Sequence, residues 1–182
     1  MTLESLALQG NAYAYDNLAA TVKNRIREAR KACFREWFSD FSNTEHRLEF
    51  VSNIHGIEFI NDSMSVSLNG AWFALETMSK PIIWIAGGGS TNKELEFLKN
   101  VVKKKVKAII CLGPDNETIH ESFSDLELPI ADTYTMAEAV EAAYYLGRKG
   151  DVALFSPGCK EDAIFMNHEE RGIAFRKAVK DL

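Results

Sequence analysis

Three unbroken apolar runs constrain this chain more than any other feature. PIIWIAGG (81–88), VKAIICLG (106–113) and DVALFSPG (151–158) each end at glycine, and stretches of helical periodicity separate them. A strand wetted on one face alternates polar and apolar residues. A strand that is apolar at nearly every position is buried on both faces. Such strands, alternating with helices, build a parallel sheet, because each parallel connection must cross the sheet and a helix makes that crossing.

The remaining elements fit this frame. HRLEFVSN and GIEFIND read as two short strands around a tight turn at His55-Gly56. SVSLNGAWFALETM reads as a helix. Residues 92–104 read as one amphipathic helix whose basic end (Lys103, Lys104, Lys105) suits the negative helix C-terminus. A helix from about Asp115, a short strand near 129–131 and a last helix over 168–180 follow the same alternation. Thr135 and Glu138 form a capping box that opens MAEAVEAAYYL, and Gly147 is its stop. Residues 16–41 read as helix, continuous or broken near Asn24, with Ala19, Ala20, Val22, Ile26, Ala29 and Cys33 at helical spacing, and the polar SDFSN (39–43) is the expected junction. The expected architecture is α/β: a doubly wound, mostly parallel Rossmann-like sheet over 44–182, preceded by a small helical segment over 1–43.

Charge and composition exclude several function classes. A net charge of -5 leaves no basic footprint, so nucleic acid is not an expected partner. No apolar run approaches the roughly 20 residues that cross a bilayer. MTLESLALQG lacks the basic start and apolar stretch of a secretion signal, so the cytoplasm, where thiols stay reduced, is the expected compartment. Cys33, Cys111 and Cys159 lack metal-type spacing, and His46, His55, His120 and His168 contain no i, i+4 pair, so no metal site is expected. Cys111, inside AIICLG, reads as a small buried hydrophobe. Cys159 reads as an inert thiol in preference to a reactive one. Ser156 lies in FSPGCKED rather than a G-x-S-x-G elbow, and no catalytic residue is assigned.

Sheets of this kind bind ligands beyond the carboxyl ends of their strands. The positions to inspect are therefore 61–67, 87–92, 113–115 and 156–161. Gly87-Gly88-Gly89-Ser90 is either a tight turn or an anion-binding loop, and matches neither the G-x-G-x-x-G fingerprint nor a phosphate loop. Asp62 either accepts from a ribose diol or caps the following helix. Arg47 either meets a phosphate or base, or is an edge charge in an ion pair.

Taken in order, EHRLEFV, INDS, AWFALE, WIAGG, VKAIICLG, AVEAAY, LFSPGC and NHEERGIAF resemble the C-terminal domain of the D-glutamate-adding Mur ligases, over residues 45–182. Residues 6–43 resemble the last helices of that family's central ATPase domain, with ALQGNAYAYDNLAA standing for a Gly-x-His-Asn-x-x-Asn-x-x-Ala-Ala pattern. The resemblance implies ATP-dependent ligation in peptidoglycan synthesis: an acyl phosphate forms on UDP-MurNAc-L-Ala and the amine of D-glutamate attacks it. It gives the C-terminal domain two tasks, closing over the nucleotide and holding D-glutamate. Arg47 matches the family arginine that contacts ATP, and Asp62 the acidic residue near the ribose. ATP or ADP is thus the implied ligand, with magnesium only alongside the central domain, whose phosphate loop does not occur in this sequence.

The amino-acid side departs from the family. Its positions fall at Met64, Val66, Thr91, Glu161 and Phe165. Met64 replaces a lysine, Val66 a threonine, Thr91 a lysine, and Glu161-Asp162 a Ser-Phe pair. Ala12 and Tyr13 replace a His-Asn pair, and Asp16 an Asn. Neither a thioether nor an isopropyl group binds a carboxylate. The expectations are no ligation by this chain alone, no D-glutamate pocket, and Met64 and Val66 packing the start of their helix on the sheet. Lys93 and Lys160 are the nearby cations that would compensate. The expected partners are the absent ligase domains or a cell-wall protein. The alternative is a non-catalytic interaction or regulatory module derived from a Mur ligase.

Overall fold

The structure is a computed structural model that describes residues 21, 25, 45–87, 92–159 and 164–182, with side chains left out at 92 and 93. The chain divides into two units, Met1–Ser42 and Asn43–Leu182. The helix expected over 16–41 lies outside the described residues apart from Thr21 and Arg25, both helical.

The second unit runs β1 (Glu49–Ile54), β2 (Ile57–Asn61), α1 (Leu68–Thr77), β3 (Ile82–Gly87), α2 (Asn92–Glu96), α3 (Lys99–Lys105), β4 (Val106–Leu112), α4 (Glu117–Phe123), β5 (Ile130–Thr133), α5 (Met136–Leu146), β6 (Val152–Phe155) and α6 (His168–Lys180). The six strands form one sheet in the order β1-β2-β6-β3-β4-β5. Only β1 is antiparallel, to β2; all other pairs are parallel. The α/β, mostly parallel architecture read from the sequence is the one observed. The His55-Gly56 turn has φ of 50° and 88°, two consecutive left-handed residues. That is the conformation whose twist matches a two-residue hairpin.

Successive residues of the apolar strands go to opposite faces, as period-2 geometry requires. Ile82, Trp84 and Ala86 of β3 join Ile109 and Cys111 of β4 under α1, α3 and α4, where Ala71, Leu75, Val102, Ile119 and Phe123 are buried. Ile83 and Ile85 join Ile110, Leu112 and Phe155 under α5 and α6, where Val140, Ala143, Phe175 and Val179 are buried. Each such aliphatic side chain, fully buried, stabilises the fold by ~1.5–3 kcal/mol. Burial pushes the Cys111 thiol up to about 12, with the nearby Asp132 carboxylate adding to the effect. Cys111 is buried, as the sequence suggested.

The single helix expected over 92–104 is two short helices. The Leu98 amide bonds Leu95 O at 2.9 Å, a tightened turn that lets both leucines enter the core while Phe97 stays outside against Trp72. Lys105, expected to serve the end of its own helix, also donates to the carbonyls of Glu76 and Met78 at the end of α1. The Thr135/Glu138 capping box is present as read. No described helix is long and apolar enough to cross a membrane.

Candidate functional site

The carboxyl ends of β2 and β6 lie side by side, and the site is built from the residues just beyond them. Asn61 pairs with Phe155, and the next amide, of Asp62, bonds Phe155 O at 2.8 Å. This carries Asp62 to the strand ends, beside Ser156. The Asp62 carboxylate is buried and accepts at both oxygens: Oδ2 from the Ser156 hydroxyl at 2.8 Å, and Oδ1 from the Leu48 amide at 3.2 Å.

The segment before β1 wraps over this carboxylate in a constrained path. His46 and Leu48 both adopt left-handed backbone, φ 65° and 44°, on either side of Arg47. Non-glycine residues accept such conformations only where their surroundings enforce them. The enforcing bonds are present: His46 N–H donates to Glu49, His46 O accepts from the Met64 amide, and Leu48 N–H donates to Asp62. The buried His46 ring accepts at Nδ1 from the Asn61 side chain at 2.9 Å, and the same amide nitrogen reaches Glu49 and Gly172 O. Arg47 is thereby held half-buried, next to a buried carboxylate.

The electrostatics reflect this burial. Desolvation raises Asp62 to about 7, against the opposing pull of the Ser156 hydroxyl, the Leu48 amide and Arg47. The buried Ser65 hydroxyl also lies beside this carboxylate and lowers it least, without reaching sound hydrogen-bond geometry. Burial lowers Arg47 while the Asp62 charge raises it. The guanidinium stays charged near neutrality in either case.

A second connection closes the cluster from α6. Arg171 is fully buried and donates from Nε and Nη2 to Ser63 O (3.2 and 2.7 Å) and from Nη2 to Cys159 O at 3.1 Å. The Ser63 hydroxyl in turn donates to His168 O. The next residue, Gly172, permits this approach: a Cβ there would sit 2.4 Å from His46 Nδ1 and 2.6 Å from Ser63 Oγ.

The structure brings Arg47 and Asp62 together. It corrects the helix-cap reading of Asp62, because Ser67 caps α1 and Asp62 spends both oxygens on tertiary partners. Met64 is half-buried, but Val66 is 41% exposed, so Val66 does not pack the start of α1 on the sheet. The reason is local: Ser65 turns inward after Asp62, which leaves its neighbour facing solvent. Phe165 packs against the core under α5 and α6. Thr91, Glu161, Lys160 and the side chain of Lys93 lie outside the described residues. Arg171 was not anticipated. Its signal is the spacing Arg171, Phe175, Val179, which puts an arginine on the buried stripe of an otherwise amphipathic helix.

Fold and site define a doubly wound α/β domain that gathers polar chemistry at the carboxyl ends of its strands. The family described as Mur ligase, glutamate ligase domain, matches residues 46–159. The UDP-N-acetylmuramoylalanine--D-glutamate ligase of Bacteroides fragilis is 40% identical over 183 aligned residues, covering 100% of this chain and 41% of that protein. The protein of the same name from Christiangramia forsetii is 41% identical over 182 residues, again covering 100% and 41%. Among solved structures, MurF from Acinetobacter baumannii shares the fold at a TM-score of 0.51 and 17% identity, over 74% of this chain and 31% of that one. This chain belongs to the Mur ligase family. It spans about two fifths of the length of the curated relatives it matches.

Proposed function

We propose that this chain is the C-terminal domain of a ligase of the D-glutamate-adding type from cytoplasmic peptidoglycan synthesis, and that it performs no ligation by itself. The observation that carries the reading is the Arg47–Asp62 cluster, a cation constrained between two left-handed residues at the strand ends where this fold takes its ligands. Arg47 is the group for an ATP or ADP phosphate or base. Asp62 holds the loop that presents it, through the Leu48 amide and the Ser156 hydroxyl. The remaining ligase domains are the partners this implies. Phosphoryl transfer needs a phosphate-cradling backbone and a metal ion to balance charge, and the family's phosphate loop is not in this sequence.

The amino-acid half of the site is proposed as lost. Two carboxylates need cationic or N–H partners, and the matching positions hold Met64, Val66, Thr91 and Glu161. Calorimetry with ADP tests the nucleotide reading: the chain binds weakly, on the order of millimolar, and Arg47→Ala abolishes the heat. Binding that survives Arg47→Ala removes this cluster as the site. Phosphate release from ATP by the chain alone, stimulated by D-glutamate and UDP-MurNAc-L-Ala, overturns the claim of inactivity.

A further inference from the structure

Spacing along the sequence gave no metal site, but the topology assembles one. We propose that Cys111, His120 and Asp132 bind a divalent cation of the zinc class at the outer, carboxyl-end corner of the sheet. Their ligand atoms, the Cys111 thiol sulfur, a His120 ring nitrogen and an Asp132 carboxylate oxygen, all lie within 4.8 Å of one another. Three separate elements supply them: β4, α4 and β5.

The convergence has a structural cause. Cys111 and Asp132 are directly paired across the parallel β4–β5 ladder, so their side chains leave the same face of the sheet. That face is the one α4 covers, with Cys111, Ile119 and Phe123 in the same core. His120, on the outer edge of α4, reaches Asp132 with Nε2 3.0 and 3.1 Å from its two carboxylate oxygens. A His–Asp pair on a surface is ordinary and contributes little. The added feature is a sulfur beneath the pair, fully buried, while His120 and Asp132 are each 42% exposed. The site therefore has a soft donor at its floor and an opening to solvent above it.

This donor set is selective. A thiolate with an imidazole suits zinc and discriminates against magnesium and calcium, which take oxygen ligands. Zinc bonds of about 2.0–2.3 Å in tetrahedral array put neighbouring ligand atoms roughly 3.3–3.8 Å apart. Closing the observed spacing to that range needs shifts of the order of 1 Å, which the exposed His120 and Asp132 side chains can make while Cys111 stays in place. Binding forms a sulfur–metal bond and releases the Cys111 proton to solvent. His120 binds as the neutral ring through the Nε2 lone pair, with its one ring hydrogen carried on Nδ1. Water fills the fourth position. The ion would fasten the edge strand β5 and α4 to β4. Two strands, β6 and β3, lie between β2 and β4, about 14 Å of sheet, so this corner is separate from the Arg47–Asp62 cluster.

The test uses the whole chain with zinc and, as a spectroscopic probe, cobalt(II). Equilibrium dialysis is expected to retain about one zinc per chain at about 10 μM free metal. Cobalt is expected to give a near-ultraviolet thiolate-to-metal charge-transfer band. Cys111→Ala and His120→Ala abolish that band, and Asp132→Asn weakens zinc binding roughly tenfold or more. Cys33→Ser and Cys159→Ser leave it unchanged. His120 is exposed, so His120→Ala keeps its far-ultraviolet circular dichroism and remains a valid arm even if Cys111→Ala unfolds. No retained zinc, a band that survives His120→Ala in the folded variant, or a band lost in Cys33→Ser or Cys159→Ser overturns the proposal.

Discussion

The Ser156 hydroxyl donates to Asp62 Oδ2 over 2.8 Å, so the hairpin strand β2 and the inserted strand β6 are joined at their carboxyl ends by side chains as well as by backbone. The carboxylate in that bond has lost most of its water, and this makes the junction sensitive to pH.

Asp62 exchanges its proton near pH 7 in the fold, against an ordinary value of 3.8. Between those two values the folded chain keeps a proton that the unfolded chain has released. The folded state is therefore favoured by acid, and this contribution is lost as the pH rises through about 7. From pH 5 to pH 8 the loss from this group is about 2.5 kcal/mol. Asp62→Asn is expected to flatten that part of the profile in urea unfolding. An unchanged slope in the variant would assign the pH dependence elsewhere.

Gly172 lets α6 approach His46 and Ser63. Gly172→Ala puts a methyl 2.4 Å from His46 Nδ1, a ring that is itself buried and hydrogen-bonded, so the helix must shift. The expected cost is about 1–3 kcal/mol, typical of overpacking. Thermal unfolding beside Glu169→Ala, an exposed control on the same helix, measures it; equal midpoints would show that the contact relaxes freely.

Arg171 satisfies the carbonyls of Ser63 and Cys159 from one guanidinium. Arg171→Met keeps the bulk and leaves both acceptors without these donors, at an expected cost of about 2–4 kcal/mol. Arg171→Lys retains the charge and a smaller set of donors, and is expected to lie between. Denaturant midpoints in the order parent, Lys, Met support this; Met equal to parent refutes it.

The D-glutamate reading is tested by gain of binding. Calorimetry of the combined variant Met64→Lys, Val66→Thr, Thr91→Lys and Glu161→Ser is expected to show saturable D-glutamate binding that the parent lacks. Saturable binding by the parent would mean that Lys93, Lys160 or another group already supplies the missing charge.

What the sequence revealed divides along physical lines. Burial on both faces writes itself as continuous apolar runs, so β3, β4 and β6 were legible residue by residue. The His55-Gly56 turn and the Thr135/Glu138 box were equally plain, because each depends on residues adjacent in sequence. The break between α2 and α3 was not, because Leu95 and Leu98 keep an apolar spacing compatible with one helix while the core draws both inward. In the candidate site, resemblance singled out Arg47 and Asp62 but not the residues bonded around them: Ser156 is 94 residues from Asp62, and Arg171 108 from Ser63. No local pattern records such pairings.

The place of β6 in the sheet bears on how the chain is made. Of the described strands it is synthesised last, yet it lies between β2 and β3 and supplies the backbone that binds them both. Until the ribosome has released Val152–Phe155, the β1–β2 hairpin has no sheet to join, and a lone hairpin is marginal in water. β3, β4 and β5 can pair as they emerge. Chains stopped short of β6 would then carry a half-sheet with an open apolar edge, the form a cell's quality control removes.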